Sequence, residues 1–145
     1  MESSKSAWIV VAEDNKHDVF LIREALNQEG LAYRLDAIAD GDEMLTFVDR
    51  LDRDQFAPWP DLFVIDVNLP KRSGAEILAR IRGSVRCTAI PVIVMSSSDA
   101  PHDRDAALAL GANLYFRKLP DLNEFLKIGG YIRSALEQGR PGTSL

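Results

Sequence analysis

Cysteine occurs once in the 145 residues, at Cys87, so no internal disulfide can form and the fold cannot depend on oxidation. Cys87 itself reads as an ordinary residue ahead of a buried strand. Histidine occurs only at His17 and His102, far apart and without the ligand spacing of a zinc site. Long apolar runs are missing as well. Nothing approaches the ~18 residues of a membrane span, and the apolar stretch from Ala7 to Val11 is too short for a secretory signal. A cytoplasmic protein with no membrane partner is the expectation. Basic residues are in the minority: 17 Lys and Arg against 22 Asp and Glu give a formal charge of −5. Binding along a phosphate backbone needs a basic footprint, so nucleic acid is not an expected partner. No Pro-rich, Gly-rich or low-complexity stretch marks a second domain, and the length suits one domain with a proper core.

What the sequence does contain is an alternation. Trp8–Asp14 is a β-branched apolar run ending in acids, which reads as a buried parallel strand. Val19, Ile22, Ala25 and Leu26 then recur at helical spacing, with Gly30 closing the helix. YRLDAI alternates Tyr33, Leu35 and Ala37 with polar residues, as a sheet-edge strand does. A helix from Gly41 to Leu51 follows, with Met44, Leu45 and Val48 inward. DRDQFAPWP reads as an unusually long loop. DLFVID is the third strand and Ala75–Arg82 the next helix. IPVIVM is the fourth strand; a helix over Pro101–Leu110 ends at a Gly111 C-cap. NLYFRK is a short fifth strand, and the last helix places Leu122, Phe125, Ile132 and Leu136 on one face. Gly129-Gly130 should weaken the middle of that helix by ~1 kcal/mol per glycine relative to alanine, so that it bends or frays there. Residues 1–6 are expected to be a lead, 7–138 the domain and 139–145 a loose tail. Five β-α units in series imply an α/β fold, a parallel sheet with helices on both faces.

Open parallel sheets bind ligands at the carboxyl ends of their strands. The residues just past each apolar run are Glu13 and Asp14, Asp66 and Asn68, Ser96 to Ser98, and Lys118. Three carboxylates, hydroxyls and one lysine would therefore share a rim. Nearby carboxylates repel one another unless a cation lies among them. An all-oxygen set with open positions suits Mg2+, which shares its shell with waters and phosphate oxygens. Read singly, Asp66 would be a strand terminator, Asn68 a turn residue and Lys118 a solvated charge. Glu13-Asp14 would be a helix cap, a job Asp14 can combine with metal binding.

The strings VVAEDN, FVIDVNLPKRSG, IPVIVMSSS and YFRK, in this order and spacing, resemble the motifs of the response-regulator receiver family across residues 7–138. The start of the first helix after Glu13-Asp14-Asn15 and the long loop before strand three resemble the stand-alone regulators paired with bacterial phytochromes. The resemblance implies a flavodoxin-like, doubly wound (βα)5 fold with strand order 2-1-3-4-5. It implies that Asp66 accepts a phosphoryl group, with Mg2+ held by Asp14, Asp66, Glu13 through water, and the backbone carbonyl of Asn68. Lys118 would neutralise a phosphoryl oxygen and Ser96 would hydrogen-bond it. Ser96 and Tyr115 would form the switch pair, and Asn68 and Ser98 would tune dephosphorylation. The donor would be a sensor histidine kinase, phytochrome-like in kind, or a histidine phosphotransfer protein.

The resemblance thus describes a phosphorelay switch and not a turnover enzyme. With only seven residues after Gln138, output is expected through protein–protein contact, a homodimer among the forms. The family's usual proline after the lysine is replaced by Leu119; because a non-proline cis bond costs ~2.5–4 kcal/mol, Lys118-Leu119 is expected to be trans. The main alternative is a receiver-like interaction module that works without phosphorylation. A haloacid-dehalogenase-type phosphatase needs an acid two residues after its nucleophile, where this chain has Asn68. An FMN-binding flavodoxin needs a phosphate-cradling loop after strand one, and none is present.

Overall fold

The five expected strands are the five strands of the computed structural model, which describes residues 6–139. Most of the expected lead and tail, residues 1–5 and 140–145, lies outside the described residues. The strands are β1 (Ala7–Ala12), β2 (Tyr33–Ile38), β3 (Leu62–Asp66), β4 (Val92–Ser96) and β5 (Leu114–Arg117). Between and after them run α1 (Lys16–Gln28), α2 (Gly41–Arg53), α3 (Gly74–Arg82), α4 (Pro101–Ala109), α5 (Leu122–Leu126) and α6 (Ile128–Gly139). All pairings are parallel, in the order β2-β1-β3-β4-β5.

Every residue of β3 and β4 is buried, as strands covered on both faces must be. Side chains alternate across the sheet. Val10, Ala12, Phe63, Ile65, Val92 and Val94 meet Met44 and Val48 of α2 and Ile77, Leu78 and Ile81 of α3. Ile9, Val11, Leu62, Val64, Ile93 and Met95 meet Ile22, Ala25 and Leu26 of α1 and Ile132 and Leu136 of α6. On the edge strand β2 only Leu35 is fully buried; Ala37, expected to share its face, is exposed. The long loop after α2 is pinned rather than loose. Arg86 donates to the carbonyls of Leu51 (3.1 Å), Ala57 (2.6 Å) and Asp54, and its guanidinium lies 4.5 Å from the Trp59 ring centroid.

The end of the chain departs from the expected single helix. The interruption falls at Lys127, between α5 and α6, and the two glycines lie inside α6. Leu122, the first residue of α5, is exposed, whereas Phe125 of the same helix and Ile132 and Leu136 of α6 are buried. Gly129 has a packing reason of its own. A Cβ at that position would stand 2.6 Å from the Ala25 carbonyl oxygen, so a bare Cα is what lets α6 close onto α1. Cys87 is fully buried, and burial pushes its thiol pKa up. Among the described residues no peptide bond is cis, Lys118-Leu119 included, and no helix is long and apolar enough to cross a membrane.

The two glycines should therefore respond oppositely to alanine. Gly129→Ala is expected to destabilise by about 1–3 kcal/mol through overpacking. At Gly130 the nearest atom to an added Cβ is the Glu29 carboxylate at 3.8 Å, so Gly130→Ala is expected to stabilise by about 0.5–1 kcal/mol. Urea unfolding of the two variants checks the pair; equal effects would contradict the close approach at Gly129.

Candidate metal and phosphate site

Parallel register carries the ends of β1, β3 and β5 to one rim. The Glu13 N–H donates to the Ile38 carbonyl (3.0 Å), Val67 N–H to Met95 (3.0 Å) and Lys118 N–H to Ser96 (2.7 Å). These bonds extend the strand ladders just beyond their last residues and fix the backbone beneath each functional side chain. Glu13 is 2% exposed and Asp66 4%, while Asp14 projects into solvent. One carboxylate oxygen from each of the three comes within 4.8 Å of the others. The helix cap expected of Asp14 falls one residue later. Asn15 Oδ1 accepts from the N–H groups of His17 (2.9 Å) and Asp18 (3.1 Å), so Asp14 is not the residue capping α1.

Lys118 crosses the sheet edge to reach this group. Its ammonium donates to Asp18 Oδ2 at 2.9 Å and Glu13 Oε1 at 3.1 Å, and stands 3.6 Å from Asp66 Oδ2. Asp66 Oδ1 accepts one long hydrogen bond, from the Asn68 N–H at 3.3 Å. Asp18 is the residue that sequence reasoning missed. It lies one helical turn past Asp14, and its position in an acid-bearing first turn was the only available signal.

The electrostatics favour a cation. Burial, and then the charge of Asp66, raise the Glu13 pKa to about 7 despite the opposing effect of Lys118. Burial works against the Lys118 ammonium, but the hydrogen bond to Asp18 and the charges of Asp66 and Glu13 outweigh it and hold its pKa above the ordinary value. A single ammonium thus serves Glu13, Asp18 and Asp66 together, with Asp14 beside them. This oxygen-only, anion-rich set fits a hard divalent cation such as Mg2+.

The remaining predicted residues divide between two adjoining spaces. Asn68 lines both the acidic cleft and a neighbouring cavity of about 370 Å3 between α3 and α4. Ser96, Ser98 and Tyr115 line only the second. Ser96 is buried, and its Oγ accepts from the Ser98 N–H at 3.0 Å. Tyr115 is half-buried, and its hydroxyl donates to the Ser98 carbonyl at 2.9 Å. The Ser98 hydroxyl has a structural task not legible in the motif. It donates to Asp103 Oδ2 (2.5 Å) and accepts from the Ala100 N–H (3.2 Å), anchoring the start of α4, where the N-cap Ala100 contributes no side-chain hydrogen bond.

Comparison with known proteins points the same way. Residues 9–128 match the family described as "Response regulator receiver domain". Response regulator Rcp1 of a Synechocystis strain is 32% identical over 127 residues, covering 88% of this chain and 86% of that protein. The crystal structure of the phosphorylated cyanobacterial phytochrome response regulator RcpA superposes with a TM-score of 0.81 at 32% identity, over 92% of this chain and 96% of that one. The Mn2+-bound form of Rcp1 gives a TM-score of 0.77 at 31% identity, over 88% and 92%.

The raised Glu13 pKa makes metal binding and stability depend on pH. The folded state holds this proton more tightly than the unfolded state, so its contribution is full below about 4.5 and is lost as pH rises towards about 7. A divalent cation relieves the exposed charge by displacing the proton. Saturating Mg2+ is therefore expected to raise the melting temperature more at pH 8 than at pH 5.5, and Glu13→Gln to flatten that difference. Equal shifts at the two pH values would contradict it.

Proposed function

Since the chain belongs to the response regulator receiver domain family of two-component signalling, we propose that Asp66 is its phosphoacceptor and that the phosphorylated state is the signal it passes on. The observation that carries this reading is the setting of Asp66: almost buried, beside two further carboxylates, and faced by a lysine ammonium across 3.6 Å. A carboxylate oxygen of Asp66 attacks the phosphorus of a phosphohistidine on the partner. The P–N bond breaks, its electron pair returns to the imidazole nitrogen, and an acyl phosphate remains on Asp66.

Asp14, Asp66, Glu13 through water and the Asn68 backbone carbonyl would hold Mg2+. When bound, that ion supplies charge neutralisation for the phosphoryl oxygens. Lys118 supplies a point charge to the same group. Ser96 accepts a hydrogen bond from the Ser98 N–H, and its own O–H is the donor we assign to the phosphoryl group. Tyr115 is the second member of the switch, since its hydroxyl bond to the Ser98 carbonyl ties it to the loop that follows Ser96. Asn68 and Ser98 set the rate at which water removes the phosphoryl group, being small polar residues two positions past Asp66 and Ser96.

Residues 7–138 form the receiver unit of this proposal. The donor is a sensor histidine kinase or a histidine phosphotransfer protein, and the similarity to Rcp1 and RcpA favours a phytochrome-like kinase. Output passes by protein–protein contact in the cytoplasm, with a homodimer as one form, and the chain works as a switch and not as a turnover enzyme.

Acetyl phosphate with Mg2+ is expected to add one phosphoryl group to the chain, read by intact mass, and Asp66→Asn or EDTA is expected to abolish it. Lys118→Ala should slow the reaction by about 100-fold, the scale of removing one oriented charge from a transition state. No phosphoryl gain by the wild-type chain would leave the phosphorylation-independent interaction module as the better reading.

A further inference from the structure

Of the three carboxylates around Lys118, the closest is not the proposed acceptor. Asp18 Oδ2 is 2.9 Å from the ammonium, Glu13 Oε1 3.1 Å and Asp66 Oδ2 3.6 Å. The two shorter contacts are hydrogen bonds and the contact with Asp66 is not. Asp18 also stands outside the cluster of Glu13, Asp14 and Asp66 that suits a cation. A metal filling that cluster would therefore engage Glu13 and Asp66 and leave Asp18 as the partner of Lys118.

Asp18 cannot readily follow the lysine. Its backbone N–H is held by the Asn15 cap at 3.1 Å, and α1 is locked onto the sheet by Ile22, Ala25 and Leu26. Lys118 is different: its backbone is fixed by the bond to Ser96, but an ammonium on a four-carbon stem can pivot. One member of the pair is anchored and the other is free to swing.

We propose that Asp18 is a positioning residue that holds the Lys118 ammonium back from Asp66 at rest, and so lowers the affinity of the acceptor site for a phosphoryl group. The proposal rests on Asp66 being the phosphoacceptor. A contact made in only one of two states biases the equilibrium towards that state, and does so reciprocally. Phosphorylation must draw Lys118 from Asp18 towards the new oxygens; removing Asp18 removes the opposing hold. The sign is what separates this role from a structural one, because loss of a merely structural residue would weaken the site.

The test compares wild type, Asp18→Asn, Asp18→Ser and Asp18→Glu at saturating Mg2+, each confirmed folded by thermal unfolding. Two quantities are read: beryllofluoride affinity and the initial rate of phosphorylation by acetyl phosphate. Both neutral variants are expected to bind beryllofluoride about fivefold more tightly, the low end of typical coupling between sites, and to phosphorylate faster. Asp18→Glu should return towards wild type, and in a Lys118→Ala background the gain should vanish. If the wild type is phosphorylated and Asp66→Asn is not, yet the neutral variants are equal to or weaker than wild type, the role of Asp18 is overturned and the acceptor assignment stands. If the wild type takes no phosphoryl group, both fall together.

Discussion

The ammonium of Lys118 joins elements that the chain order keeps apart. It comes from the end of β5 and reaches Glu13 beyond β1, Asp18 in the first turn of α1 and Asp66 at the end of β3. Without that charge, Glu13 and Asp66 would be two almost buried carboxylates facing each other, an arrangement low-dielectric surroundings penalise heavily. With it, the group is held together, yet burial and then the charge of Asp66 still push the Glu13 pKa up. The site is thus stable enough to fold and anionic enough to want a cation.

The fold was legible because the central strands wrote their own burial into the sequence. DLFVID and IPVIVM are uninterrupted apolar runs, and β3 and β4 are the strands buried throughout. The rim residues were legible for the same reason: the polar residue after a buried run in a parallel sheet has only one place to go. Glu13, Asp14, Asp66 and Lys118 met as expected from that rule.

What sequence could not supply were contacts set by geometry between elements. Asp18 looked like any acid in a first turn, and only the reach of Lys118 from β5 gives it a partner. Gly129 looked like a weakness in a helix, and only the approach of α6 to the Ala25 carbonyl gives it a reason. Leu122 fitted the apolar face of one continuous helix, yet it opens α5 in solvent while Phe125, three residues on, is buried. Ser96 was grouped with the carboxylates by its strand position, whereas it lines the adjoining cavity with Tyr115.

Helix α4 differs from its neighbours in how little secures it. It buries Ala107 alone, its N-cap offers no side-chain bond, and a cavity of about 370 Å3 lies beneath it. By contrast α2 buries Met44, Val48 and Leu51, and α3 buries Ile77, Leu78 and Ile81. Local opening free energy follows buried apolar contact, and it can be far smaller than the global unfolding free energy. One face of this molecule can therefore rearrange at small energetic expense while the sheet that carries Asp66 stays folded.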